Sequence, residues 1–333
     1  MATSGGESLE RFSRVIREVE SERGCRIYCI LHGGPKCHIC GPTFHAIFSG
    51  RSEVGHGEKI EILLHSPGGH PEIAYQAMKF FKRRFRMVNI IVPLSAKSAA
   101  TLMCLGADRI FMGEMADLGP VDIQIDDPVN HGDKGFSPID EFKSMEFLRE
   151  QALEWMDFYA MTMNRRYGMA IKEALKDAIP LVNGLMKPIF EQIDPIEMGS
   201  NRRAVAIGEE YARRMLALTD NDNAAKIVKR LVWGYPSHAF CIDFEEAKSI
   251  GLPVERLPEQ LDQKLSDAIF DLERDDYHGF AQAPPPSQGT RPARPTTRGK
   301  ARKQVRPPNV APVRSERRVN GRDGSGDGER ARH

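Results

Sequence analysis

Long apolar runs are missing from this chain of 333 residues. The longest, such as Ile90–Leu94, fall far short of the roughly 20 residues a membrane-spanning helix needs, which speaks against a membrane protein of the helical kind. The opening "MATSGGESLERF" lacks a basic start followed by an apolar core. No secretory signal is read there, and the cytoplasm is the expected compartment. No Gly-rich loop ends in Lys-Ser/Thr, so no nucleotide, and no other cofactor, is called for. From Ala281 to His333 the chain has no Leu, Ile, Met, Phe, Tyr or Trp. Such a segment cannot bury enough apolar surface to offset its ordering entropy, so residues 281–333 are expected to be disordered. That tail carries 13 Lys/Arg against 4 Asp/Glu, a net of +9, which leaves −8 on the rest of a chain of net charge +1. Its arginines allow a contact with nucleic acid or an acidic partner. The absence of aromatic residues for base stacking favours a solvated tail instead.

Cysteine is sparse, with six residues at 25, 29, 37, 40, 104 and 241. A cytoplasmic chain is not expected to form structural disulfides. Cys25, Cys29, Cys37 and Cys40 lie close enough in sequence to raise zinc as an alternative to plain thiols. Against it, Cys25 and Cys29 on one strand would stand about 13 Å apart, too far to chelate one ion unless the strand bends.

What the sequence does contain is an ordinary globular composition, 41% hydrophobic and 28% charged. Leu9, Phe12, Ile16 and Val19 recur at helical spacing, giving an amphipathic N-terminal helix within residues 1–24 that ends at Gly24. Strands are expected at 26–31, 59–65, 88–93 and 109–112, and helices at 72–85 and 98–106. A Gly/Pro/His-rich loop is expected after residue 31. This alternation predicts an α/β fold with a parallel, helix-covered sheet, and the continuous apolar character of the strands fits burial on both faces. A long helix should follow Ser137 as N-cap and Pro138 at the first helical position. More helices are expected over 169–231. The stripe from Met145 to Met163, rich in Met and aromatics, is expected to be core or subunit contact. The folded domain is placed at residues 25–270.

Two loops fall at carboxyl ends of predicted parallel strands, where open α/β sheets bind ligands. In "HSPGG" (65–69), Gly68 and Gly69 can turn backbone N–H groups toward a developing oxyanion. In "SAKSAAT" (95–101), Ser98 stands at a strand-to-helix corner among small residues, with the Ala99 N–H beside it. These residues by themselves fit either a nucleophile or a plain N-cap.

"LLHSPGG", "VPLSAKSAATLMCLGADRIFMGEMADLGPVDIQI" and "FEEAKSIGL", in this order, resemble the serine dehydrogenase proteinase family over about residues 25–255. The Clp proteolytic subunit and signal peptide peptidase A are relatives of that family. The resemblance implies a Clp/crotonase-like β/α superhelix of repeated ββα units, with a helical C-terminal part. It implies a serine peptidase acting on peptide or protein substrates, assembled as a homo-oligomer. By position Ser98 matches the nucleophile, and Gly68 and Gly69 match the oxyanion loop. Two departures are visible. Ala100 replaces the usual glycine after Ser98–Ala99, and "ADLGPVDIQI" holds no histidine of the kind the Clp subunit uses.

A lysine base is therefore expected, and Lys143, between Phe142 and Met145, is preferred to Lys134. Burial in such a setting lowers an amine's pKa. Lys97 should face away from the Ser98 hydroxyl. His65, Asp122 and His238 are accessory candidates, His238 as an outside candidate for the base. Ser66 and Ser95 are alternative hydroxyls without a helix-start setting. A catalytically silent scaffold using its basic tail, or a crotonase-like acyl-CoA enzyme, are the alternatives.

Overall fold

The computed structural model describes residues 4–34, 38–124, 137–219, 221–272 and 276–281. All lie in one compact unit spanning residues 1–285. The N-terminal helix α1 (Ser4–Arg23) leads into β1 (Ile27–Leu31), and two short helices follow, α2 (Gly41–Ser49) and α3 (Arg51–Val54). Then come β2 (Gly57–His65), α4 (Pro71–Lys82), β3 (Phe85–Val92), β4 (Ser95–Ala96), α5 (Ala99–Leu105), β5 (Arg109–Met112) and β6 (Asp117–Leu118). The second half is mostly helical: α6 (Pro138–Tyr167), α7 (Ile171–Phe190), α8 (Pro195–Leu216), α9 (Ala224–Trp233) and α10 (Phe244–Ser249). It closes with β7 (Val254–Arg256), α11 (Glu259–Asp271) and β8 (Tyr277–Gly279).

Six strands form the main sheet in the order β7-β5-β3-β2-β1-β8. All neighbours are parallel except β8, which runs antiparallel to β1. Alternate residues of the central strands bury into two separate cores. Ile62, Leu64, Ile90 and Val92 face α4, α5 and α8, while Cys29, Leu63 and Ile91 face α1 and α11. Burial on both faces explains why β2 and β3 read as unbroken apolar runs. The N-terminal helix is therefore part of the domain, packed through Phe12, Ile16 and Val19 against β1 and α11.

A second, smaller layer lies at the carboxyl ends of these strands. Ser66 bridges Ala96 in parallel, β4 pairs with β6, and Leu118 bridges Ile242. The chain thus repeats one unit: a main-sheet strand, a short strand in the second layer, then a helix. This is an α/β fold built of repeated strand–strand–helix units, as the resemblance implies. The repeat sets the loops 66–70, 93–98 and 113–122 side by side. No helix among the described residues is long and apolar enough to cross a membrane.

Candidate active site

Ser98 turns the chain from β4 into α5 with φ 50° and ψ −116°. It is the one non-glycine residue with positive φ among the described residues. Its side chain makes no capping hydrogen bond to α5. Ser98 lines a cavity of about 460 Å³ together with Pro67, Gly69, Ala99, Leu102, Asp122 and His238. The corner is braced from behind. Thr101 Oγ1 donates to the Ala96 carbonyl at 2.7 Å and accepts from the Gly119 N–H at 3.0 Å. Lys97 pairs with Asp117 and donates to the Leu118 carbonyl at 3.0 Å, so its amine is committed to the second layer. Ala100 is fully buried and is not part of the cavity wall, so its extra methyl packs into the core rather than into the site.

The Pro-Gly-Gly turn approaches this corner too closely for side chains. A Cβ at Gly68 would lie 2.6 Å from Ser98 Cβ and 2.8 Å from the Lys97 carbonyl, and one at Gly69 would lie 2.2 Å from the Ile39 carbonyl. Both glycines also hold positive φ, 114° and 132°, where an L side chain is strained. The two amides differ in use. Gly68 N–H donates to Ser66 Oγ at 3.1 Å. The amides of Gly69 and Ala99 meet no protein acceptor among the described residues, and both residues line the cavity. A reacting carbonyl at Ser98 would find its two donors there. Gly68 shapes the turn.

Asp122 and His238, 116 residues apart, meet on the cavity wall. His238 Nδ1 lies 2.8 Å from Asp122 Oδ1. A carboxylate only accepts, so the proton of the neutral imidazole sits on Nδ1 and the lone pair on Nε2. Ser137 donates to the other oxygen, Asp122 Oδ2, at 2.8 Å. Asp122 is 6% exposed, so both partners matter for a buried carboxylate. The Ser137 hydroxyl, which the sequence places as an N-cap, makes no capping bond to α6 and goes to Asp122 instead.

The remaining sequence candidates fall elsewhere. Lys143 is not in the Ser98 cavity; its Nζ donates to the Tyr235 carbonyl at 2.6 Å on a neighbouring one. Lys134 lies outside the described residues. His65 Nδ1 is 3.4 Å from Ser95 Oγ, and burial holds this imidazole below its usual range. Neither residue lines the cavity, whereas His38 and His70, which the sequence reading did not single out, do. Ser66 is buried under its own turn.

Among the described residues no group of three or more His, Cys, Asp or Glu is placed to hold a metal ion. Cys29 is sealed in the apolar core, and Cys25 precedes β1 beside Glu61, where burial and that carboxylate push its thiol up to about 11. Cys40 is the N-cap of α2, and Cys37 lies outside the described residues.

Residues 7–132 match the model of the ClpP-like SDH-type serine proteinases. Two uncharacterized proteins of Methanocaldococcus jannaschii are similar to the chain. One is 26% identical over 74% of this chain and 75% of its own length. The other is 31% identical over 34% of this chain and 41% of its own length. Among solved structures, a mutant of the 1510-N membrane-bound stomatin-specific protease aligns at 18% identity and a TM-score of 0.26. That alignment covers 46% of this chain and 69% of the other.

Proposed function

We propose that the chain, whose residues 7–132 match the model of the ClpP-like SDH-type serine proteinases, hydrolyses peptide bonds with Ser98 as nucleophile and His238 as base. The observation that carries this reading is one cavity holding both a serine at a strained corner and a histidine whose tautomer a buried aspartate fixes. Ser98 Oγ attacks the peptide carbonyl while Nε2 of His238 takes the hydroxyl proton. The carbonyl oxygen gains the electron pair and is met by the N–H groups of Gly69 and Ala99. The pair returns, the C–N bond breaks, and His238 gives its proton to the leaving amine. Water, deprotonated by the same imidazole, then attacks the acyl carbon; the C–Oγ bond breaks and His238 returns the proton to Ser98 Oγ. Asp122 keeps the imidazole oriented and stabilises its charged form between the two proton transfers.

In this reading His238 takes the role that the sequence assigned to Lys143. The order along the chain is Ser98, Asp122, His238, and the like constellation occurs in other orders on other folds, so order itself is no objection. The test is a fluorophosphonate probe followed by intact-mass and peptide mapping of the full chain. One adduct on Ser98, absent in Ser98→Ala, is expected. No adduct on the wild type, or one that survives Ser98→Ala, sinks the reading.

A further inference from the structure

His238 has open space on both sides. One side is the Ser98 cavity. On the other, a second cavity of about 360 Å³ lies between the segment Tyr235–Ala239 and the first turns of α6. Among the described residues, the His238 segment thus borders open space on the α6 side. Two polar contacts from α6 span the gap. Lys143 Nζ donates to the Tyr235 carbonyl at 2.6 Å, three residues before His238, and Ser137 Oγ donates to Asp122 Oδ2 at 2.8 Å. Lys143 makes no ion pair with any carboxylate among the described residues, although Asp140 lines the same cavity. Tyr235 is anchored on its far end, where its hydroxyl donates to Glu246 Oε1 at 2.8 Å.

We infer that Ser137 and Lys143 are positioning residues of the hydrolytic site: from the start of α6 they hold Asp122 and the His238 segment in register with Ser98. This rests on the Ser98–Asp122–His238 reading above. A tether to a backbone carbonyl fixes the segment without touching the imidazole, so its loss lets His238 swing into the void rather than unfolding the core. Loss of the Ser137 hydroxyl acts differently. Asp122 then loses its second donor and is no longer held square to His238 Nδ1. The other titratable groups around His238 are His38 and His70 across the first cavity, and Asp140 and Lys143 across the second.

The experiment uses the full chain and four variants: Lys143→Met, Lys143→Arg, Ser137→Ala and Ser137→Thr. Two readouts are taken. One is the fluorophosphonate labelling rate of Ser98 against pH and probe concentration; the other is the Nδ1 proton resonance of His238 in ¹⁵N-labelled protein, assigned with His238→Gln. Lys143→Met and Ser137→Ala should each slow labelling at saturating probe about tenfold, with half-saturation changed less than about twofold. Lys143→Arg and Ser137→Thr, which keep a donor, should recover to within about threefold of wild type. In parallel the His238 resonance should shift or broaden in the first two variants and return in the second two. Wild-type labelling with an unmoved resonance in Lys143→Met and Ser137→Ala overturns the inference. So does a complete loss in Lys143→Met that Lys143→Arg does not relieve, because Lys143 would then be the base itself. Should the wild type take no probe, the peptidase reading fails, and the resonance alone decides the positioning of His238.

Discussion

A backbone torsion separates the two roles open to Ser98. A capping serine keeps a negative φ and turns its oxygen back onto the second or third amide of the helix. Ser98 holds φ 50° with no such bond, so its hydroxyl is left to the cavity. Such a conformation costs about 1–3 kcal/mol for a residue with a Cβ and nearly nothing for glycine. Ser98→Gly should therefore raise the unfolding free energy by about 1 kcal/mol, measured by chemical denaturation, while abolishing probe labelling. A loss of stability in that variant would mean the corner is not strained. The same closeness explains Gly68: its missing Cβ is what lets the Pro-Gly-Gly turn lie against Ser98 Cβ. Both positions were legible in the sequence because serine among alanines and paired glycines are local signals. The Asp122–His238 contact was not, because it joins residues 116 apart and only the tertiary fold brings them together. Lys143 was favoured for its apolar sequence neighbours, yet periodicity does not tell where the end of a four-carbon side chain goes.

Among the elements, β8 is the most exposed to acid. It is three residues long, pairs with β1 alone among the described residues, and is pinned by His278 Nε2, 3.0 Å from His32 Nε2. Two imidazole nitrogens at that distance share a single proton, so the accepting ring is neutral and the contact is lost once both rings are charged. His32 also faces Thr43 Oγ1 at 3.2 Å, its buried Nδ1 meets no partner among the described residues, and Asp276, His38 and His65 are the other titratable groups around it. Burial, with the neighbouring His278 second, pushes His32 down to about 4, and burial lowers His278 as well. The unfolded chain then binds protons that the native chain refuses. The stability from this pair is complete above about pH 6.5 and drains away as pH falls toward 4. Amide exchange at Tyr277–Gly279, corrected for intrinsic rates, should quicken between about pH 6.5 and 4.5 far more than exchange in β2 or β3. His278→Gln should flatten that difference, and equal acceleration in all three strands would refute it. β8 itself left no trace in the sequence reading, since three residues carry no period. The helices α2 and α3 were hidden for another reason: "GPTFHAIFSGRSEV" reads as a loop by its glycines and proline, yet Pro42 sits in the first turn of α2, where its missing N–H costs nothing. By contrast α1, β2, β3 and β5 fall within a few residues of their expected limits, because long amphipathic or unbroken apolar patterns survive tertiary packing.

At the scale of the whole molecule the unfinished part is the pair α6 and α7, which pack on each other after the left-handed turn at Gly168. The Met/aromatic stripe expected to be core or contact is largely on the outside: Phe147 is 58% and Phe158 73% exposed on α6, with Ile179 and Leu185 on α7 at 56% and 53%. Large apolar side chains exposed on two helices that pack together are what a protein contact would cover. We propose a second copy of this chain as the cover, since a two-fold contact buries the same patch on both sides and needs no further partner. Light scattering of the purified chain should then give a mass of at least twice the monomer at micromolar concentration. Phe158→Glu with Leu185→Glu should bring it to the monomer without lowering the thermal midpoint of the remaining fold, because neither side chain is in the core. Since α6 also carries Lys143 and follows directly on Ser137, the monomeric variant should label Ser98 more slowly than the assembled wild type. A wild type that is monomeric at those concentrations, or a double variant of unchanged mass, would show that this face serves something other than self-association.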